Sequence, residues 1–252
     1  MKLSALNAWD ILILTLIFFG YPILASTGLY FTAAETAENQ AAQQALQFSA
    51  HDNWRSILFK GITLLVAFAY LHWRRFDFSQ LNFKLNRYTP VKTLAFILLV
   101  SVIAAAFDGI QLFLLEPGME AEAVEGAEQS AESYGFLDFL AAYTAYLSPP
   151  FILFALLNGF FEELYFLGLI FCAEKKIFRL ALIFSLFVRF SFHTYQGIDA
   201  ALTITLLGLV FCLLRLKHKA LPPFMLARSF FDLFGLSYLF NLLYGLWYFL
   251  AA

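Results

Sequence analysis

Two adjacent carboxylates, Glu162 and Glu163, stand in the run Asn158-Gly159-Phe160-Phe161-Glu162-Glu163-Leu164-Tyr165-Phe166-Leu167-Gly168, between long apolar stretches. Membrane hydrocarbon has no water to solvate ions, and a mid-helix acid costs roughly 2.5 to 3.5 kcal/mol on insertion scales. Two acids together must therefore be stabilised by other groups of the protein, and an intramembrane ionisable residue is by default a functional-site hypothesis. Two buried carboxylates resist carrying two full charges, which leaves a base–acid couple able to activate water. His193 can share the proton work or orient that water. Arg228 and Asp232 can bind and polarise a carbonyl oxygen. This is equipment for hydrolysing a peptide bond inside a membrane.

The elements that hold these groups must bring them to one depth. At about 1.5 Å per residue, Glu162 lies about 19 Å from the basic edge at Lys175, and His193 about 21 Å from Arg179 on the same side. Arg228 and Asp232 bracket about 13 to 20 Å from Lys219. Glu162, Glu163, Arg189, His193, Arg228 and Asp232 thus fall in one layer contributed by three helices. Arg189 and His193 are four residues apart, as are Arg228 and Asp232, so each pair shares a helix face. With His neutral the layer carries one net negative charge, close to the balance that burial requires. The expected cofactor set is none or, as the weaker alternative, a divalent zinc. Catalytic zinc usually takes three protein ligands, and only one histidine lies at this depth, since His72 and His218 sit at interfaces and His51 in a loop. Any metal would fall to Glu162, Glu163 and His193.

Composition agrees with that placement. The 252 residues are 62% hydrophobic and 13% charged, with Lys+Arg 16 against Asp+Glu 18 and a net charge of -2. Such low charge with long apolar runs reads as an all-α polytopic membrane bundle in contact with lipid, and the balance excludes a nucleic-acid partner. Cys172 and Cys212 read as packing residues. The chain divides as one membrane domain over 1–252: N-terminal spans and loops over 1–135, a denser core over 136–235, and a last span over 236–252. Spans are expected at 9–31, 54–73, 93–115, 150–173, 180–193, 198–214, 222–234 and 236–252, about eight in all. The segment 136–147 is too short to cross and reads as re-entrant or half a broken span. The first span has no small-residue cleavage site and reads as retained. Lys/Arg follow the second, fourth and sixth spans, whereas the loop before the carboxylate span is acidic without EF-hand spacing. That alternation puts both termini in the cytoplasm. Asp108 and Lys60 look isolated in other spans and read as packing or snorkelling residues, and Asp138 and Asp199 face water near span ends.

The series Glu162-Glu163-Leu164-Tyr165-Phe166-Leu167-Gly168, then Ser185 and His193, then Pro223 through Arg228 to Asp232, resembles the CAAX prenyl protease 2 and bacteriocin-processing family of intramembrane proteases. The resemblance spans 148–232. Glu162, Glu163, Gly168 and His193 match the family pattern. Its first-motif arginine is Leu167 here, its second-motif phenylalanine is Arg189, its third-motif histidine is Arg228, and Asp232 stands where asparagine is common. The resemblance implies Glu162 as the water-activating base, Glu163 as its partner and His193 as a second catalytic residue. Arg228 and Asp232 then take the positions that bind an oxyanion or a metal. It implies a peptide or membrane-protein substrate in a bacterial cytoplasmic membrane. The missing motif arginine strands a buried acid, and Arg189, one turn before His193, is expected to restore that charge from the neighbouring helix.

Two rival functions use the same residues. A catalytically inactive relative would bind a membrane partner or confer immunity to a peptide toxin through the same polar pocket. A small transporter would use the acids as a proton relay, but it would usually carry matching broken helices in inverted halves, and charges fall in one half only.

Overall fold

The structure is a computed structural model that describes residues 2–33, 50–115 and 147–235. The expected re-entrant or half-span segment 136–147 (apart from residue 147), the acidic loop, Asp138, the last span and the side chain of Asp108 lie outside the described residues. Seven helices carry the described fold. They are α1 (Ala8–Ala33), α2 (Ala50–Trp73), α3 (Thr89–Leu115), α4 (Pro149–Cys172), α5 (Phe178–His193), α6 (Ile198–Lys217) and α7 (Pro222–Phe234). Among the described residues there is no β-strand beyond two isolated bridges. Five of these helices are long and apolar enough to cross a membrane: α1, α2, α4 and α6 throughout, and α3 over Thr89–Phe107. Of the about eight spans expected, these five meet that length and hydropathy among the described residues. α5 and α7 are shorter, at 16 and 13 residues. The chain is an integral membrane protein.

One end of the bundle gathers the basic turns. The N-terminal segment lies between two chain reversals: Leu3 exchanges backbone hydrogen bonds with Arg75 and Asp77, and Leu6 with Cys172 and Glu174. At the same end the Leu221 amide donates to Asn82 O at 3.2 Å. Backbone groups here find partners in each other because the helices have ended and their terminal amides and carbonyls need satisfying. Asp10, buried at the start of α1, is clamped from the last turn of α2 and the residue that follows it. Arg74 donates through Nε at 2.6 Å and Nη2 at 3.0 Å, and Tyr70 Oη at 2.7 Å. The turns that end α2 and α4 are therefore tied to the same short N-terminal segment.

The core is aromatic. Phe18 and Phe19 of α1 pack on Phe161 and Tyr165 of α4, with centroids 4.8 to 5.9 Å apart. α4 lies against α7 on one side and α2 on the other, while α1 and α6 flank α5. The α4–α7 approach is close enough to require glycine: a Cβ on Gly159 would collide with Ser229 Oγ and come within 2.5 Å of the Met225 carbonyl. This places the faces carrying Glu162 and Arg228 side by side.

Candidate active site

Glu162 and Glu163 end the α-helical part of α4, which runs Pro149–Glu163, and the helix continues as a π turn over Leu164–Leu169. π turns inside α-helices often mark functional sites, because the extra residue per turn takes carbonyls out of the regular ladder. Here the Leu167 carbonyl is taken up by Arg215 of α6, whose Nε donates to it at 3.0 Å. The same guanidinium donates to Leu81 O at 3.3 Å, His218 O at 3.2 Å and Lys219 O. Arg215 reads in the sequence as the basic flank of a span. The structure makes it the buried clasp of the segment that follows the glutamates. Arg215→Met leaves the Leu81 and Leu167 carbonyls without this donor and is expected to cost about 2 to 4 kcal/mol. Thermal melting in detergent measures it, and a melt unchanged from wild type would remove Arg215 from this role.

The polar centre is almost fully enclosed: Glu162 is 3% exposed, Glu163 0%, Arg189 2% and His193 3%. α5 contributes Arg189, whose Nη2 donates to Glu163 Oε1 at 3.0 Å while Nη1 lies 3.8 Å from Glu162 Oε2. Leu167, at the family's arginine position, is itself buried among apolar side chains. The cation beside Glu163 thus comes from the next helix. Its guanidinium lies over the Phe166 ring at 4.1 Å, and its stem runs so close to α6 that a Cβ on Gly208 would be 2.6 Å from Arg189 Cδ.

α7 contributes Arg228 and Asp232. Arg228 Nη2 donates to Glu162 Oε1 at 3.1 Å and lies 3.4 Å from His193 Nε2, and its Nε is 3.3 Å from Asp232 Oδ1. His193 Nδ1 is 2.8 Å from the Arg189 carbonyl. A carbonyl oxygen only accepts, so Nδ1 carries the ring hydrogen and Nε2 faces Arg228 as an acceptor. The remaining link is Asn158, one turn before Glu162, whose Nδ2 donates to Glu162 Oε1 at 2.9 Å and to Asp232 Oδ2 at 2.8 Å. Sequence reasoning did not single out Asn158 as a site residue. Its signal was the spacing of four from Glu162, which puts a two-hydrogen donor on the acid's own face.

All six residues expected from depth arithmetic therefore meet. Glu162 Oε1 is saturated by Arg228 and Asn158, whereas Glu162 Oε2 and Glu163 Oε2 are buried without a hydrogen-bond partner among the described residues. The zinc alternative fits these residues poorly. A guanidinium nitrogen stands 3.1 Å from Glu162 Oε1 and 3.4 Å from His193 Nε2, where an ion shared by the two would sit. Among the described residues no group of three His, Cys, Asp or Glu side chains is arranged to hold a metal.

Fold and centre together define an integral membrane protein with a buried acid–guanidinium–imidazole cluster. Residues 144–234, the segment that holds Glu162, Glu163, Arg189, His193, Arg228 and Asp232, match the family described as type II CAAX prenyl endopeptidase, Rce1-like, and over this segment the chain is similar to that family. No curated protein and no solved structure matches the chain.

Proposed function

We propose that this protein is an intramembrane endopeptidase of the CAAX-processing and bacteriocin-processing type. It would cut a peptide or membrane-protein tail, with both termini and the basic end of the bundle in the bacterial cytoplasm. The observation that carries the reading is the asymmetry of Glu162. One oxygen is held by Arg228 and Asn158, and the other is buried with no hydrogen bond to satisfy it. A carboxylate fixed by hydrogen bonds to one oxygen, with the other accepting none, is a positioned general base.

In the proposed reaction Glu162 Oε2 takes a proton from water, and the water oxygen attacks the scissile carbonyl carbon. The carbonyl electron pair moves onto oxygen, where Arg228 stabilises the negative charge. Collapse re-forms the carbonyl and breaks the C–N bond, and the proton held by Glu162 passes to the leaving nitrogen. The products are a new carboxyl end and a new amine. Glu163, paired with Arg189, supports Glu162 from the adjacent position. His193 positions Arg228 through Nε2, and Asp232 holds the same guanidinium from its own helix. With a guanidinium between Glu162 and His193, the mechanism runs on protein groups alone.

Glu162→Gln keeps the shape and the Arg228 contact but removes the base. Activity is expected to fall by about 10²-fold or more with melting in detergent retained. The direct measurement compares wild type and Glu162→Gln on a membrane proteome, reading new peptide termini by mass spectrometry. If no terminus differs between the two, the non-catalytic membrane-binding or immunity reading takes over. That rival draws on the fact that Glu162 and Glu163 each already have a guanidinium partner.

A further inference from the structure

Lys60 of α2 belongs to the polar layer. It stands fourteen residues before Arg74, about 21 Å from the basic end, against about 19 Å for Glu162. Its contact with Phe161, the residue before Glu162, places the two at a similar depth. Its ammonium lies 4.8 Å from the Phe154 ring and 5.5 Å from the Phe161 ring, both on α4. Phe154, Asn158 and Glu162 follow one another at intervals of four, so Lys60 is tied to the α4 face that carries the base.

What distinguishes Lys60 from the other cations of the layer, among the described residues, is that no carboxylate pairs with it. Arg189 has Glu163, and Arg228 has Glu162 and Asp232. Among the described residues no acid lies within ion-pair distance of Lys60, and aromatic faces are its only close partners. An ammonium at this depth held by π-faces alone keeps most of its capacity for a charge-assisted hydrogen bond. Counting Lys60, the layer of Glu162, Glu163, Asp232, Arg189, Arg228 and Lys60 is neutral, so one added anion meets no excess of negative charge.

We propose that Lys60 is a carboxylate-binding subsite of this centre, holding an anionic group of the peptide so that a nearby bond faces Glu162. This rests on the peptidase reading for its purpose but not for its test. The anion is a carboxylate from one of two sources, the free end of the chain or an acidic side chain. Phe154 and Phe161 form the apolar wall against which the rest of such a peptide packs.

The test is a binding measurement on the Glu162→Gln protein, where turnover does not interfere. Three dansylated apolar hexapeptides serve as probes: one with a free C-terminal acid, its C-terminal amide, and that amide with one internal Asp. The free acid is expected to bind about ten- to a hundred-fold more tightly than the plain amide. If the internal Asp restores affinity the side chain is the ligand, and if it does not the chain end is; either outcome supports the subsite. Lys60→Met is expected to abolish the difference and Lys60→Arg to keep it. Equal binding of all three probes to the Lys60-bearing protein overturns the proposal, whether or not Lys60→Met folds. So does discrimination that survives in a folded Lys60→Met. Discrimination without any proteolysis by the wild type would keep the subsite and sink the peptidase reading alone.

Discussion

Arg189→Leu is expected to destabilise the protein by about 3 to 5 kcal/mol, the usual cost of removing one partner of a buried ion pair. Glu163 is fully enclosed, and Arg189 Nη2 at 3.0 Å is the cation within ion-pair distance of it. Removing the guanidinium leaves a carboxylate that cannot reach water, beside a second acid one residue earlier. The protein must then either protonate Glu163 or open the α4–α5 contact, and both cost free energy. Melting in detergent, followed by loss of the monodisperse peak on size exclusion, reads the effect. A companion variant separates pairing from packing: Arg189→Leu with Glu163→Leu removes both charges and should recover most of the loss, since an apolar replacement of a buried pair is often neutral. Gly208→Val reaches the same end by steric means, because a side chain there meets Arg189 Cδ and Nε. If Arg189→Leu alone melts like wild type, the pairing carries no stability.

Arg228→Leu is expected to lower kcat by about 10²- to 10³-fold, the loss typical of deleting one oxyanion donor. Its stability should suffer less than that of Arg189→Leu. Glu162 keeps its Asn158 hydrogen bond and the Arg189 cation 3.8 Å away, and Asp232 keeps Asn158. A group that acts on charge developing in the transition state changes kcat and kcat/KM together and leaves substrate affinity alone. The measurement is therefore a kcat and KM pair on whichever substrate the termini comparison identifies. Arg228→Lys, which keeps charge but loses the fork, should fall between the two. A rise in KM with kcat intact would move Arg228 from the reaction to substrate binding.

The depth of each polar group could be read from the chain because an α-helix has a constant rise. Hydropathy marked the helices, basic flanks marked one end of them, and simple counting put Glu162, His193, Arg228 and Asp232 in a common layer. The same counting applied to Lys60 would have added it, but with no motif nearby it read as a snorkelling residue. The helices α1, α2, α4, α6 and α7 run close to the expected spans. The span total was less legible, since α5 and α7 are too short to cross by length alone.

Azimuth is another matter. Which side of a helix faces which neighbour depends on how closely two backbones approach, and here Gly159 and Gly208 set those approaches through contacts with residues distant in sequence. The Arg189 charge expected beside the stranded acid is found at Glu163, whereas only the folded chain decided that Arg228 stands between Glu162 and His193 and that Asn158 joins Glu162 to Asp232. It also decided that Arg215 clasps the π turn through the Leu167 carbonyl. Sequence determined the kind and level of charge in the membrane, because both follow from residue type and helical rise. Tertiary packing decided the partners, because partnership at a few ångströms depends on rotation about helix axes and on side-chain reach, which one-dimensional counting does not contain.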